Sequence, residues 1–181
     1  MGFLLTISQI YLPPFIQKNR LNELFRATAD AFQGQAPQLK GYSLDQYLTK
    51  YALFTMENTE RLIKQGSEYE AKERLYCNAR RIGQNIREEL KIQTLEEVMR
   101  ACEVIYKALK IEFRGDLQGH ICIHSCFFSS FYSSDVCRII SSLDEGLIAG
   151  LSGGHRLEFS QRITEGSRCC RAHLMEIGSP A

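Results

Sequence analysis

Apolar residues recur at helical spacing through roughly the first two-thirds of the chain. Leu21, Leu24, Phe25, Thr28 and Phe32 follow the 3.6-residue period, and Pro13 and Pro14 suit a helix's first turn. The stretch GQAPQLKG, from Gly34 to Gly41, reads as a loop. Ser43 caps a second helix with Leu44, Tyr47, Leu48 and Tyr51 on one face, ending near Gly66. Two sequences then match the capping box, in which a Ser or Thr hydroxyl and a Glu three residues on satisfy each other's backbone amides. Ser67 to Glu70 precedes a stripe of Leu75, Tyr76, Ala79, Ile82, Gly83, Ile86 and Leu90. Thr94 to Glu97 precedes Leu95, Val98, Met99, Cys102, Ile105 and Leu109. Cys102 falls on that stripe and Cys77 lies beside Tyr76, so both read as packing residues.

After Leu109 the period changes. IEFRGDLQGHICIHSC reads as two strands joined around Arg114-Gly-Asp116, where the Arg-Gly-Asp is turn chemistry rather than an adhesion motif. An aromatic stretch from Phe127 to Tyr132 leads into a helix from Ser134 to about Leu151, ended by SGGH. Strands around His155–Thr164 and Cys169–Met175 follow, joined as a hairpin at Glu165–Arg168. The pattern predicts one α+β domain over residues 1–181, its helical N-terminal two-thirds packed on an antiparallel sheet formed mainly by the C-terminal third. Residues 1–66 supply an N-terminal strand or arm and helices, and residues 67–176 the core.

Composition narrows the functional classes. A chain of 181 residues is long enough for a genuine core. A net charge of +1 without any basic run argues against a general nucleic-acid binder. No apolar run has the length of a membrane span. The N-terminal MGFLLTISQIYLPPFI has no basic n-region and reads as a strand-like arm rather than a signal peptide. Gly2 with Thr6 fits a myristoylation pattern only loosely. Seven cysteines in apolar stretches, with no export signal, read as reduced thiols in the cytoplasm. The long amphipathic helices offer more apolar face than a short sheet covers, which points to a homodimer.

The candidate chemistry centres on HICIHSC. In a regular strand His120, Cys122, His124 and Cys126 share one face. Zinc needs about four converging ligands, whereas alternate residues of one strand stand ~6.5–7 Å apart, and no CxxC or HxxxH spacing is present; no metal is expected. A Cys–His pair is the second reading: His124 beside Cys126, with Cys137 in the first turn of the next helix, offers thiols to activate. The competing possibility is that this row packs into the core. Asp144 shares a helix face with Ser141 and Cys137, at the border of the apolar stripe, where a carboxylate needs a partner such as an arginine or a ligand's amine. Among Arg156, Arg162, Arg168 and Arg171, Arg162 is the one expected to point inward, where it would suit a carboxylate.

CFFSSFYSSDVCRIISSLDEGLIAGL followed by HRLEFSQRITEGSRCCRAHL resembles the L-2-amino-thiazoline-4-carboxylate hydrolase family. Cys126 matches its early cysteine, Cys137 the first of a helix pair, Asp144 its aspartate, Gly166 a turn glycine and Cys170 a final cysteine. The same region, about residues 75–175, is similar to the 4-vinyl reductase domain, a small-molecule-binding fold related to trafficking-complex subunits, with Ala79-Arg-Arg-Ile-Gly83 echoing one of its helices. Ser141 and Ser167 stand where the hydrolases have a cysteine and an aspartate. Phe159 and Arg162 stand where zinc-binding relatives have a glutamate and a cysteine. The resemblance implies a hydrolase-like protein, without cofactor, that opens a small cyclic amidine or thiazoline carboxylate to an N-carbamoyl amino acid. Cys137 or Cys126 would attack, His124 would act as base, Asp144 would hold the amidine and Arg162 the carboxylate. The alternative is a non-catalytic binding or sensory module whose pocket is lined by Phe127, Phe128, Phe131 and Tyr132.

Overall fold

The computed structural model describes residues 14–36 and 41–176. The expected N-terminal strand, Gly2 and Pro13 lie outside the described residues. Helices α1 (Pro14–Ala31), α2 (Leu44–Gln65), α3 (Glu68–Leu90) and α4 (Leu95–Ala108) precede strands β1 (Ile111–Gly115) and β2 (His120–Cys126). Helix α5 (Ser134–Ser152) then leads to β3 (Arg156–Gln161) and β4 (Cys170–Met175). The four strands among the described residues form an antiparallel sheet in the order β1-β2-β4-β3, which makes the fold α+β. Among the described residues no helix is long and apolar enough to cross a membrane.

Local signals set most boundaries. Ser43 and Gln46 make a reciprocal capping box at the start of α2, and Thr94 and Glu97 make another at α4. The box expected at Ser67 does not form, because Ser67 makes no side-chain cap. Its amide bonds instead to the Leu62 carbonyl, finishing the left-handed turn at Gly66, and its ψ of 15° is not that of an extended N-cap. The Gly66–Ser67 link is too short to close one helix and cap the next with the same residue.

Packing is tightest where α3 crosses α5. A Cβ on Gly146 would stand 2.2 Å from the Tyr76 carbonyl oxygen, and one on Gly150 equally close to that of Arg80. The two backbones therefore touch. α4 packs on β1 and α5 on β3, and the inward row Ile121, Ile123, Leu157, Ala172 and Leu174 meets them in the core. Cys102 is fully buried, as its stripe requires, whereas Cys77 is exposed and not a packing residue. Among the described residues Tyr69 and Leu117 are the large apolar side chains left exposed.

Candidate active-site cavity

HICIHSC is a strand, but not a regular one. Glu112 of β1 pairs with Ser125, and the next residue, Phe113, pairs with Ile123, so His124 is an extra residue. This bulge shifts the alternation by one place. Ile121 and Ile123 point into the core, and beyond the bulge Cys126 does too, paired with Ile111. His120 and His124 are exposed, and Cys122 is half-buried. His124 and Cys126 do not share a face, and His124 is not beside the site where a general base is needed. Among the described residues no three His, Cys, Asp or Glu side chains are grouped to hold a metal ion.

Cys126 instead lines a cavity of about 90 Å³ enclosed by the helices and the end of β2. By the space one buried water requires, it has room for several waters, or for a ligand of comparably few heavy atoms. Its walls are mostly apolar, with Ile140, Leu143 and Leu147 of α5 facing Tyr51, Phe128 and Tyr132. Cys137, Ser141 and Asp144 enter from α5, in keeping with their shared helix face, and Thr164 and Cys170 from the β3–β4 hairpin. Phe127 and Phe131 do not line it; they pack on each other, with ring centroids 5.4 Å apart. Arg162 does point inward, with 14% side-chain exposure, but stops behind the wall. Its guanidinium lies 4.5 Å from the Phe159 ring centre and 3.9 Å from Glu165, not at the cavity surface.

Proton ownership defines what the cavity can do. Thr28 donates to the Leu24 carbonyl (2.8 Å), so in its 2.9 Å contact with Tyr51 the tyrosine must be the donor. By the same logic Thr55 donates to the Tyr51 carbonyl, and Tyr132 donates to Thr55. Tyr106 donates to Asp144 at 2.7 Å, and Ser141 gives its proton to the Cys137 carbonyl at 2.7 Å. Every one of these hydroxyl protons is committed. Two groups are left over, and the first is an acceptor: the second Asp144 oxygen, which has no hydrogen-bond donor among the described residues. The second is the buried Thr164 hydroxyl, which has no oxygen or nitrogen partner among the described residues and has the Cys137 thiol as its neighbour.

Burial pushes the Asp144 carboxyl up to about 6, against the opposing hydrogen bond from Tyr106 and the nearby charge of Arg162. The cavity thiols are not activated. Burial pushes Cys126 up to about 12 and also raises Cys137 and Cys170, with Asp144's negative charge adding to the effect on all three. They are neutral thiols at physiological pH.

Tyr106 and Thr164 were not apparent as site residues from the sequence. Tyr106 had one signal: it follows Cys102 by one helical turn on a buried stripe, and a buried tyrosine needs a hydroxyl partner. Neither a protein-family model nor a curated protein matches the chain.

Proposed function

We propose that the protein binds a small, largely apolar molecule carrying a cationic or hydrogen-bond-donating head such as an ammonium or amidinium. The head sits on Asp144 and the body against the aliphatic face of α5. The observation that supports this is the Asp144 carboxylate at an apolar cavity with one oxygen unpartnered, while the hydroxyl protons of Tyr51, Tyr132 and Ser141 are committed to other acceptors. A buried carboxylate of this kind is costly unless it meets a partner, and a cation is the partner that answers the cost. This is the binding-module reading of a 4-vinyl-reductase-type domain. The test is calorimetric titration with small alkyl and aromatic amines and amidines against carboxylates and alcohols of the same shape. Amines and amidines should bind with affinity that falls below pH ~6, as Asp144 protonates, and Asp144→Asn should abolish that binding. Binding of the carboxylates instead, or amine binding unchanged in Asp144→Asn, would sink the proposal.

A thiol-dependent hydrolase of the thiazoline-carboxylate type is the second reading, favoured by Cys137 and Asp144 lining one cavity. Against it stand the neutral thiols and the exposed His124. Turnover of 2-amino-thiazoline-4-carboxylate that disappears in Cys137→Ser would make it the better reading.

A further inference from the structure

On the opposite face of the sheet, Cys122 of β2 stands opposite Arg171, and Cys169 lies two residues before that arginine, just ahead of β4, so the two cysteines are diagonal neighbours whose thiols influence each other's ionisation. Both are partly exposed. Gln161 reaches the Cys169 sulfur at 3.5 Å through its side-chain nitrogen and the Cys169 carbonyl at 3.3 Å. Arg171, which stands opposite Cys122 in the ladder, favours the Cys169 thiolate through its positive charge.

We propose that Cys122 and Cys169 are a peroxide-reactive dithiol that closes to a reversible disulfide across β2 and β4. Cys169 is the attacking sulfur. The Arg171 guanidinium, followed by Cys122 and Gln161, holds its thiol below the ordinary range, which favours the nucleophilic thiolate. Burial, then the neighbouring Cys169, keeps the Cys122 thiol above its ordinary value, as suits a resolving partner that attacks second. In the first step the Cys169 thiolate attacks one peroxide oxygen, the O–O bond breaks, and hydroxide leaves with its electron pair. This forms a sulfenic acid. In the second, the Cys122 sulfur displaces the sulfenic oxygen as water after losing its own proton. Two thiols are oxidised by two electrons, and one hydrogen peroxide is reduced to two waters.

Closure is a matter of moving the hairpin. Cys122 pairs with Arg171, so Cys169 is its diagonal neighbour, a relation that places Cα atoms roughly 7–8 Å apart in a regular ladder. That is beyond the roughly 4.4–6.8 Å a disulfide usually spans, so closing the bond requires the backbone to move. Cys169 precedes the first residue of β4 and follows the left-handed Gly166 turn, outside the paired ladder, so the movement falls on the hairpin rather than on the sheet. The other thiols serve as internal references: Cys102 is wholly buried and Cys77 is exposed.

The experiment uses the full chain, reduced and then treated at neutral pH with a few equivalents of hydrogen peroxide. Remaining thiols are alkylated in denaturant and mapped by peptide mass. The expected result is loss of alkylation at Cys122 and Cys169 together, recovery of a disulfide-linked peptide pair, and reversal by dithiothreitol, with Cys102 untouched. Cys122→Ser should leave Cys169 as a sulfenic acid that dimedone traps, and Arg171→Gln should slow that labelling. Full alkylation of Cys122 and Cys169 after Cys77 has oxidised would overturn the proposal, as would dimedone labelling Cys77 ahead of Cys169 in Cys122→Ser.

Discussion

Replacing Asp144 with Asn should stabilise the protein at neutral pH while removing the acceptor on which ligand binding depends. The carboxyl's ordinary pKa is 3.8, and burial moves it to about 6 in the fold. At about 1.4 kcal/mol per tenfold change, keeping it ionised inside the fold costs up to roughly 3 kcal/mol above pH ~6. The side chain retains some surface onto the cavity, where water can enter, so a cost of about 1–3 kcal/mol is the working range. The sign follows from proton binding. Between the two pKa values the native state holds the proton more tightly than the unfolded chain, so this group's contribution is fully present below pH ~4. It is lost as pH rises through about 6. Asparagine keeps an acceptor for Tyr106 and carries no charge. Asp144→Asn should therefore gain about 1–3 kcal/mol at pH 7.5, or roughly 2–12 °C in Tm for a chain of this size, and the gain should shrink toward zero near pH 4. Urea unfolding of both proteins followed by circular dichroism across that range measures the difference directly, because the other carboxylates cancel. A variant less stable than wild type at pH 7.5, or a difference independent of pH, would refute the reasoning.

Three further outcomes follow from the packing. Tyr106→Phe deletes the hydroxyl that supports Asp144, and should cost about 1–2 kcal/mol above pH 6 and less below it, read by the same unfolding series. Gly150→Ala should destabilise by about 2 kcal/mol or more despite a helix-propensity gain of about 1 kcal/mol, because the new methyl meets the Arg80 carbonyl backbone; Gly34→Ala, whose nearest heavy atom would be 3.8 Å away, should change little. Thr94→Ala should cost about 1 kcal/mol by thermal unfolding and Ser67→Ala almost nothing, since Thr94 makes its cap and Ser67 does not.

The elements that follow one periodicity were legible in the sequence. The stripe through Cys102, the caps at Ser43 and Thr94, the ending at Gly66 and the extent of α5 all lie where local pattern puts them. So does the shared helix face of Cys137, Ser141 and Asp144, because helix geometry carries over without knowledge of the neighbours. The strand HICIHSC was legible as a strand but not as a bulged one. No Gly or Pro marks the extra residue, and its position is set by the pairing of Glu112 and Phe113 in another strand. That single slip removes His124 from the site. The Tyr106 partner of Asp144 is 38 residues away, and the proton ownership of Tyr51 and Tyr132 depends on Thr28 and Thr55 in different helices. These are tertiary facts. Ser67 shows the converse, a correct motif overruled by the short link that precedes it.

The backbone seam between α3 and α5 has a consequence for ligand selection. Gly146 and Gly150 fix one side of α5 against carbonyl oxygens, while the cavity wall of Ile140, Leu143, Asp144 and Leu147 is the same helix seen from another side. Nothing compressible lies behind that wall, so it recoils little when a guest presses on it. The yielding boundary is opposite, where the wall includes side chains such as Leu24 rather than a backbone seam. A homologous series of guests should therefore show a sharp size cut-off for groups directed at α5, and graded tolerance for groups directed away from it.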